Sequence, residues 1–436
     1  VVIELRPSGP LRARVLAPPS KSATLRALVA AALARGASVV HRPLPCDDTD
    51  AMVRGLRHLG VAIERNSTKY TFPARPPGRK SVRSTVPLRG TIDCGAAGAV
   101  IRFLAAVAAL GRGEVVLDGE ARLRERPIGP LADALRALGA EVAWEGATGF
   151  PPLRVRARGL RGGSVTLDAS ASSQFLSALL LAGPCMDADL EVRVVGPLAS
   201  APYVELTAEV MAAFGATVER PEPGLFRVPR TGYRGADFAV EGDWSAAAFL
   251  LAAAAIAGGS VTVEGLRADS RQGDRAIAGL LERMGCAVAR GADGITARGG
   301  PLRAIDADLG ATPDLAPALA AVAAFASGTT RVRGVAHLRL KESDRIASIV
   351  RALGALGIAA RERADGFEVD GGSPRAGEID PAGDHRIAMA FALAGLAAPG
   401  VRVRNRECVA KSWPEYFAVV TTLKRASGPE TGPEAT

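Results

Sequence analysis

The sequence is poor in aromatic side chains, histidine, cysteine and lysine. Aromatics make up 4% of its 436 residues, and there are four histidines. The five cysteines (Cys46, Cys94, Cys185, Cys286 and Cys408) are odd in number, scattered, and form no CxxC pair. That speaks against a disulfide framework and a thiolate zinc site. Without an HExxH segment, four histidines give no basis for a catalytic metal either. No metal and no cofactor are expected. No stretch reaches the ~18 uninterrupted apolar residues of a membrane span. The longest runs, AAAFLLAAAAIAGG and APALAAVAAFASG, are Ala-rich and read as buried helices. The opening VVIELRPSGPLRARV lacks the basic, apolar and small-residue order of a signal peptide. A cytoplasmic protein with no membrane partner is expected.

The net charge is +9, which suits an anionic partner, either nucleic acid or small phosphorylated acids. Removing the six lysines (Lys21, Lys69, Lys80, Lys341, Lys411 and Lys424) from the 54 basic residues leaves 48 arginines. Lysines that persist inside patterned segments are candidates for a role that needs a compact ammonium. The scarcity of aromatics and the dispersion of the cations argue against nucleic-acid binding, which would interleave stacking rings or carry a basic run.

What the chain does have is repetition. An apolar helix that ends near glycine and runs into a short strand occurs six times, beginning with LRALVAAALARGASVV and IRFLAAVAALGRGEVVL. A second helix that ends at Gly60, Gly139, Gly215, Gly285 or Gly357 occurs five times, at intervals of roughly 70 to 80 residues. Each unit reads helix, strand, turn, helix, strand, often with one further strand. The sixth copy ends in WPEYFAVVTTL without its final strand. Six units divide into three and three around the Gly-rich segment at 232–244. The tail ASGPETGPEAT is polar and is expected to be disordered.

Unusual polar residues recur in two places of each unit. One is the start of the first helix: SKS (20–22), CGAAG (94–98), SSQ (172–174), GDW (242–244), TPD (312–314) and GDHR (383–386). The other is the turn before the second helix: CDDT (46–49), RERP (124–127), SAPY (200–203), RQGD (271–274), KESDR (341–345) and KSWP (411–414). A helix start carries unpaired N–H groups and the positive dipole end, so it accepts anions. One such start is an ordinary cap; several, with cations at matching positions, imply a cleft between two three-unit domains that holds more than one anionic group. Ser22 and Arg26 share a helix face, with Lys21 beside them, and Lys341 and Arg345 repeat the spacing. Gln174 places an amide at the edge of a buried helix, where it needs a partner. Cations packed so closely without a ligand repel, so the free protein is expected to open. Asp314, Glu342 and Asp384 among them suit proton transfer or orientation.

PSKSATLRALVAAAL, DCGAAGAVIRFL, RERPIGPLADAL, SSQFLSALL, HLRLKESDR, GDHRIAMAF and AKSWPEYF, in this order, resemble the 3-phosphoshikimate 1-carboxyvinyltransferase (EPSP synthase) family over residues from about 10 to 425. The resemblance implies an α/β fold, a two-domain inside-out α/β barrel of six βαβαββ repeats, three per domain. It places one domain at 21–240 and the other at 1–20 plus 241–436. The implied reaction moves the enolpyruvyl group of phosphoenolpyruvate to the 5-hydroxyl of shikimate 3-phosphate and releases phosphate. Matched by motif, Lys21, Ser22, Arg26, Ser172, Ser173, Gln174, Ser200, Tyr203, Asp314, His337 and Lys341 are the implied shikimate 3-phosphate set. Lys21, Gly98, Arg126, Gln174, Arg345, Arg386 and Lys411 are the implied phosphoenolpyruvate set. Asp314 is the implied acceptor of the hydroxyl proton and Glu342 the donor to the methylene carbon, with Lys21 sharing the proton traffic. His385 is a further candidate beside Arg386. The implied partners are these two small molecules alone, and the implied state is a monomer.

The sequence departs from the family pattern at several positions. Ala96 and Ala99 stand where Asn and Thr are common, which bears on phosphoenolpyruvate binding and on the response to glyphosate. Ala201 replaces a Lys found in some members, and His337 an Asn. Trp244 is bulky for a helix start. The nearest rival family, the UDP-N-acetylglucosamine enolpyruvyl transferases, pairs the N-terminal Lys with Asn and carries a reactive cysteine in a mobile loop. Here Ser22 and Arg26 follow Lys21, and Cys94 precedes a glycine turn. A metabolite sensor would leave Asp314 and Glu342 superfluous.

Overall fold

The computed structural model describes residues 1–7, 9–74, 89–292 and 294–423. Lys80, Lys424 and the tail at 426–436 lie outside them. One unit shows the plan of the rest. Thr91–Asp93 leads into the helix Gly98–Ala109, and the chain returns as Arg112–Asp118, parallel to the first strand. A second helix, Gly129–Ala137, leads to Glu141–Trp144. The hairpin return, Leu153–Arg158, lies antiparallel between Arg112–Asp118 and Glu141–Trp144. Among the described residues the strands make six such sheets, five of four strands and one of three, and none closes on itself.

Side-chain chemistry sets the layers. The first helix of a unit is apolar on all sides, so it cannot lie on a surface. In Lys21–Leu33 every residue from Ala23 onward is buried, and in Trp244–Ala257 every residue through Ile256. The second helices are amphipathic: Asp47–His58 buries Met52, Val53 and Leu56 and exposes Arg54 and Arg57. The strands alternate, with Leu153, Val155 and Ala157 buried beneath outward-facing Arg156 and Arg158. Their outer faces carry cross-strand arginine–carboxylate pairs, such as Arg154 to Glu145 and Arg361 to Asp370, both at 2.6 Å. These ladders hold part of the arginine excess. Each exposed pair contributes under about 1 kcal/mol.

The apolar side chains form two cores. One gathers residues between Ala23 and Val240. The other joins Leu5, Leu11 and Ala17 to residues between Trp244 and Leu423. The chain crosses between them twice. Leu11–Leu16 pairs parallel with Gly259–Glu264, and Asp237–Ala239 pairs parallel with Ser38–His41. The second core thus takes a strand from before the first crossing, while the first core keeps the last strand before the second. The crossings run side by side, with Ser20 N–H donating to Glu241 O and Asp243 N–H to Pro18 O, both at 2.8 Å. Gly242 is required here, because a Cβ would sit 2.5 Å from the carbonyl oxygen of Gly265.

The sixth unit is completed from elsewhere. Gly377–Ile379 pairs parallel with Val401–Val403, and Ile3–Glu4 lies antiparallel on the other side of Val401–Val403. The N-terminal strand takes the place of the hairpin that the sequence of this copy lacks. Trp244, which had no role in the sequence, is buried at the crossing. Its backbone N–H donates to Gln272 Oε1 at 3.0 Å and its indole N–H to Arg267 O at 3.1 Å.

Candidate active site

Four of the first helices begin at a side-chain cap. Ser20 accepts from the N–H of Ala23, Ser172 from Gln174, Asp243 from Ala246 and Asp384 from Arg386. Three of these starts converge, and the fourth stands behind Lys21, whose N–H donates to Asp243 at 2.9 Å. Lys21, Ser22, Arg26, Gly98, Ala99, Arg126, Ser172, Ser173, Gln174, Ser200, Tyr203, Asp314, Lys341, Glu342, Arg345, His385 and Arg386 line one cavity. Both cores contribute. Lys411 is tied to this group through Asp48. His337 stands apart from the lining, on the turn Ala336–Leu340, with its Nε2 buried and without a hydrogen-bond partner.

In the structure the two cores meet across the cleft, and counter-charges stand among its cations. Asp48 bridges Lys21 at 3.0 Å and Lys411 at 2.8 Å. Arg345 holds three carboxylates: Asp314 at 2.8 Å, Glu342 at 2.6 Å and Asp384 at 2.7 Å. Arg386 reaches Asp314 at 3.1 Å, and Arg126 reaches Glu342 at 3.3 Å. Uncharged donors also reach across the cleft, from Tyr203 Oη–H to Asp314 at 3.1 Å and from Ser200 N–H to Gly310 O at 3.1 Å.

Among the described residues, two buried arginines have no carboxylate partner. Arg26, 2% exposed, donates to Thr207 Oγ1 at 2.8 Å, to the carbonyls of Ser22 and Tyr203, and to Ser177 Oγ. Burial pushes its guanidinium down to about 10. Arg102 donates to Gln174 Oε1 at 2.6 Å, Pro127 O at 2.7 Å and Ser172 Oγ at 3.4 Å. Burial, then the neighbouring Arg126, pushes it well below the usual range. Buried cations held only by neutral acceptors are poised for an anion. Arg102 and Asp48 are absent from the residues singled out in the sequence. A signal for Arg102 was there: it is the one charge inside the otherwise apolar run GAVIRFLAAVAA. Asp48 was visible only as part of a turn.

Lys341 makes no ion pair within 4 Å among the described residues, and burial pushes its ammonium down to about 8. Lys21 is raised instead: burial opposes this, but Asp48 and Cys46 outweigh it. Burial would also raise the two central carboxyls, yet both lie far below the carboxylate range. Arg386, Lys341 and Arg345 outweigh it at Asp314, and Arg126, Arg345 and Lys411 at Glu342. Burial, then Lys21, keeps His385 neutral, and both of its ring nitrogens lack hydrogen-bond partners, with Nδ1 3.8 Å from Asp384. Gly98 makes room for Arg126, since a Cβ there would lie 2.7 Å from the guanidinium carbon. Cys94 is fully buried, and burial, with Asp93 and Asp118 adding, pushes its thiol up. It has none of the character of a reactive cysteine.

The sequence model of EPSP synthase (3-phosphoshikimate 1-carboxyvinyltransferase) matches residues 5–420. The chain belongs to the EPSP synthase family. It is 44% identical over 424 residues to a 3-phosphoshikimate 1-carboxyvinyltransferase of Methanoculleus marisnigri, covering 96% of this chain and 98% of that one. It is 43% identical over 425 residues to one of Syntrophobacter fumaroxidans, covering 96% and 99%. Its structure superposes on an EPSP synthase from Acinetobacter baumannii with a TM-score of 0.80, at 27% identity and 98% coverage of both chains. The enolpyruvyl transferase NikO from Streptomyces tendae shares the fold alone, with a TM-score of 0.75 at 21% identity over 97% of both chains. The fold of this EPSP synthase family member is thus the family's two-domain α/β fold. Among its described residues no helix is long and apolar enough to cross a membrane.

Proposed function

We propose that the cleft transfers the enolpyruvyl group of phosphoenolpyruvate to the 5-hydroxyl of shikimate 3-phosphate. One observation carries the reading: Lys21, Arg126, Arg345, Arg386 and Lys411 gather around Asp48, Asp314 and Glu342 in one cleft. Two phosphates and two carboxylates need such a cation set. Lys21, Ser22, Arg26, Ser172, Ser173, Gln174, Ser200, Tyr203 and Lys341 hold the shikimate 3-phosphate, with His337 at the margin. Lys21, Gly98, Arg126, Gln174, Arg345, Arg386 and Lys411 hold the phosphoenolpyruvate.

In the addition step the 5-oxygen bonds to C2 of phosphoenolpyruvate, its proton passes to Asp314, and Glu342 protonates C3. In the elimination a methyl proton returns to Glu342, and the C2–O bond to phosphate breaks with its electron pair leaving on phosphate. Arg345 sets the spacing of the two acids, because one planar guanidinium holds Asp314 on Nη1 and Glu342 on Nη2. The cations depress both carboxyls in the free protein. Bound phosphates and carboxylates offset those cations, so substrate binding itself raises the proton affinity of the acid and the base. The cations then stabilise the departing phosphate. The whole set comes from one chain, so a monomer is sufficient, working in the cytoplasm, where its charged substrates are held.

Phosphate release is the test. We expect it with phosphoenolpyruvate plus shikimate 3-phosphate, and its loss by roughly 10²- to 10⁴-fold in Asp314→Ala. Release with UDP-N-acetylglucosamine as acceptor instead would overturn the reading.

A further inference from the structure

The short helix Ala121–Arg124 belongs to the first core, yet Arg122 reaches across the cleft. Its Nε donates to the carbonyl of Lys341 at 3.0 Å and its Nη2 to that of Arg339 at 3.1 Å. Nη1 donates to Glu125 at 2.6 Å, which braces the guanidinium from its own side. The two carbonyls lie at the end of the turn Ala336–Leu340, where carbonyl groups lack partners within the turn. Four residues further on, Arg126 takes the carboxylate of Glu342. The 122–126 segment therefore grips the 339–342 loop twice, once by its main chain and once by its acid.

The consequence falls on Lys341. Its ammonium has no ion pair within 4 Å among the described residues, so nothing at its tip fixes where it points. What is fixed is its own peptide, and Arg122 fixes it from the opposite core. We propose that Arg122 is a positioning residue: on closure its guanidinium locks the main chain at 339–341 and so aims Lys341 at the bound shikimate 3-phosphate. The contact can exist only when the cleft is shut, which couples closure to assembly of the site. The inference rests on the function proposed above. Arg124 provides the contrast. It lies on the same short helix but pairs with Asp118 at 2.9 and 2.7 Å.

The test uses the full chain with Arg122→Ala, Arg122→Lys, Arg124→Ala and Lys341→Gln. The readouts are steady-state phosphate release, shikimate 3-phosphate binding by calorimetry, and the thermal midpoint. Arg122→Ala should raise KM and Kd for shikimate 3-phosphate roughly 10- to 100-fold, because the defect cannot exceed the one charge-assisted bond that Lys341 makes to the ligand. Its midpoint should not change, and Arg124→Ala should match wild type. Arg122→Lys keeps the charge but not the two-carbonyl fork, so it should show the same defect, again with an unchanged midpoint. In the Lys341→Gln background, Arg122→Ala should add less than about threefold to Kd, because its route of action is gone. A silent Arg122→Ala in an active wild type overturns the inference alone, as does an equal loss with and without Lys341. A wild type that releases no phosphate with both substrates overturns the function and takes the inference with it.

Discussion

Arg102→Met should move stability and activity in opposite directions. Arg102 is 4% exposed and has no carboxylate partner. Its Nε lacks any partner, and its guanidinium carbon lies 4.9 Å from the ring centre of Phe175. Methionine removes a desolvated cation, relieves its repulsion with Arg126, and keeps an unbranched apolar stem against Phe175. Lost are three hydrogen bonds, each worth about 1.5–3 kcal/mol from a charged donor. Regained is the desolvation of the ion, several kcal/mol, and replacing a buried charge by a well-packed apolar side chain is often neutral or stabilising by about 1–4 kcal/mol. Balance leaves the free protein unchanged or stabilised by about 1 kcal/mol. Activity has no such compensation. The bond to Gln174 at 2.6 Å is what fixes that amide in the cavity. Losing it should lower kcat/KM roughly 10- to 100-fold, the factor for about 1.5–3 kcal/mol. Urea unfolding of the free protein and phosphate release measure the two quantities. If Arg102→Met lost more than about 3 kcal/mol of stability, the arginine would be a structural core group. If activity were unchanged, its hold on Gln174 would be irrelevant.

Three further outcomes are expected. Gly98→Ala places a methyl group 2.7 Å from the Arg126 guanidinium carbon, so Arg126 must shift. Overpacking of this kind costs about 1–2 kcal/mol, and KM for phosphoenolpyruvate should rise about tenfold in steady-state assays while circular dichroism stays unchanged. Asp274 is 2% exposed, accepts from Ser245, and faces Asp314, Arg386 and Asp243. Burial first, then Asp314, pushes it up to about 7, so the folded protein keeps a proton that the unfolded chain releases near 4. Stability from this site is therefore full below about pH 4 and drains away as pH rises to about 7. Asp274→Asn keeps the neutral state, so its gain in unfolding midpoint over wild type should be larger at pH 8 than at pH 5; an equal difference at both would refute the assignment. Asp48→Asn leaves Lys21 and Lys411 facing each other across the closed cleft without their shared anion. X-ray scattering should show a larger radius of gyration for the free variant, and saturating shikimate 3-phosphate with phosphoenolpyruvate should restore the compact form. A compact free variant would mean that other contacts close the cleft.

The local pattern of the chain was legible because it repeats. Apolar helices such as Trp244–Ala257 announce burial by lacking any polar face, and strands such as Leu153–Arg158 announce their inner side by alternation. Most of the cleft was legible too, since helix starts bearing Ser, Gly, Lys or Arg obey one electrostatic rule wherever they occur. His337 was expected among the cleft residues; it stands beside the cavity lining, with Lys341, Asp314 and Arg345 acting on its ring.

Three features were decided only in three dimensions. The completion of the last sheet by Ile3–Glu4 depends on a pairing across nearly the whole chain, which no local pattern specifies. The meeting of two ammoniums on Asp48 joins it to residues 27 and 363 positions away along the chain. Arg122 looks like any surface arginine until its two carbonyl partners are seen to come from the other core. Sequence by itself determined what each segment must bury and which chemical groups each helix start offers. Tertiary structure decided which charges meet, because Coulomb and hydrogen-bond energies act over a few ångströms of space, whatever the separation along the chain.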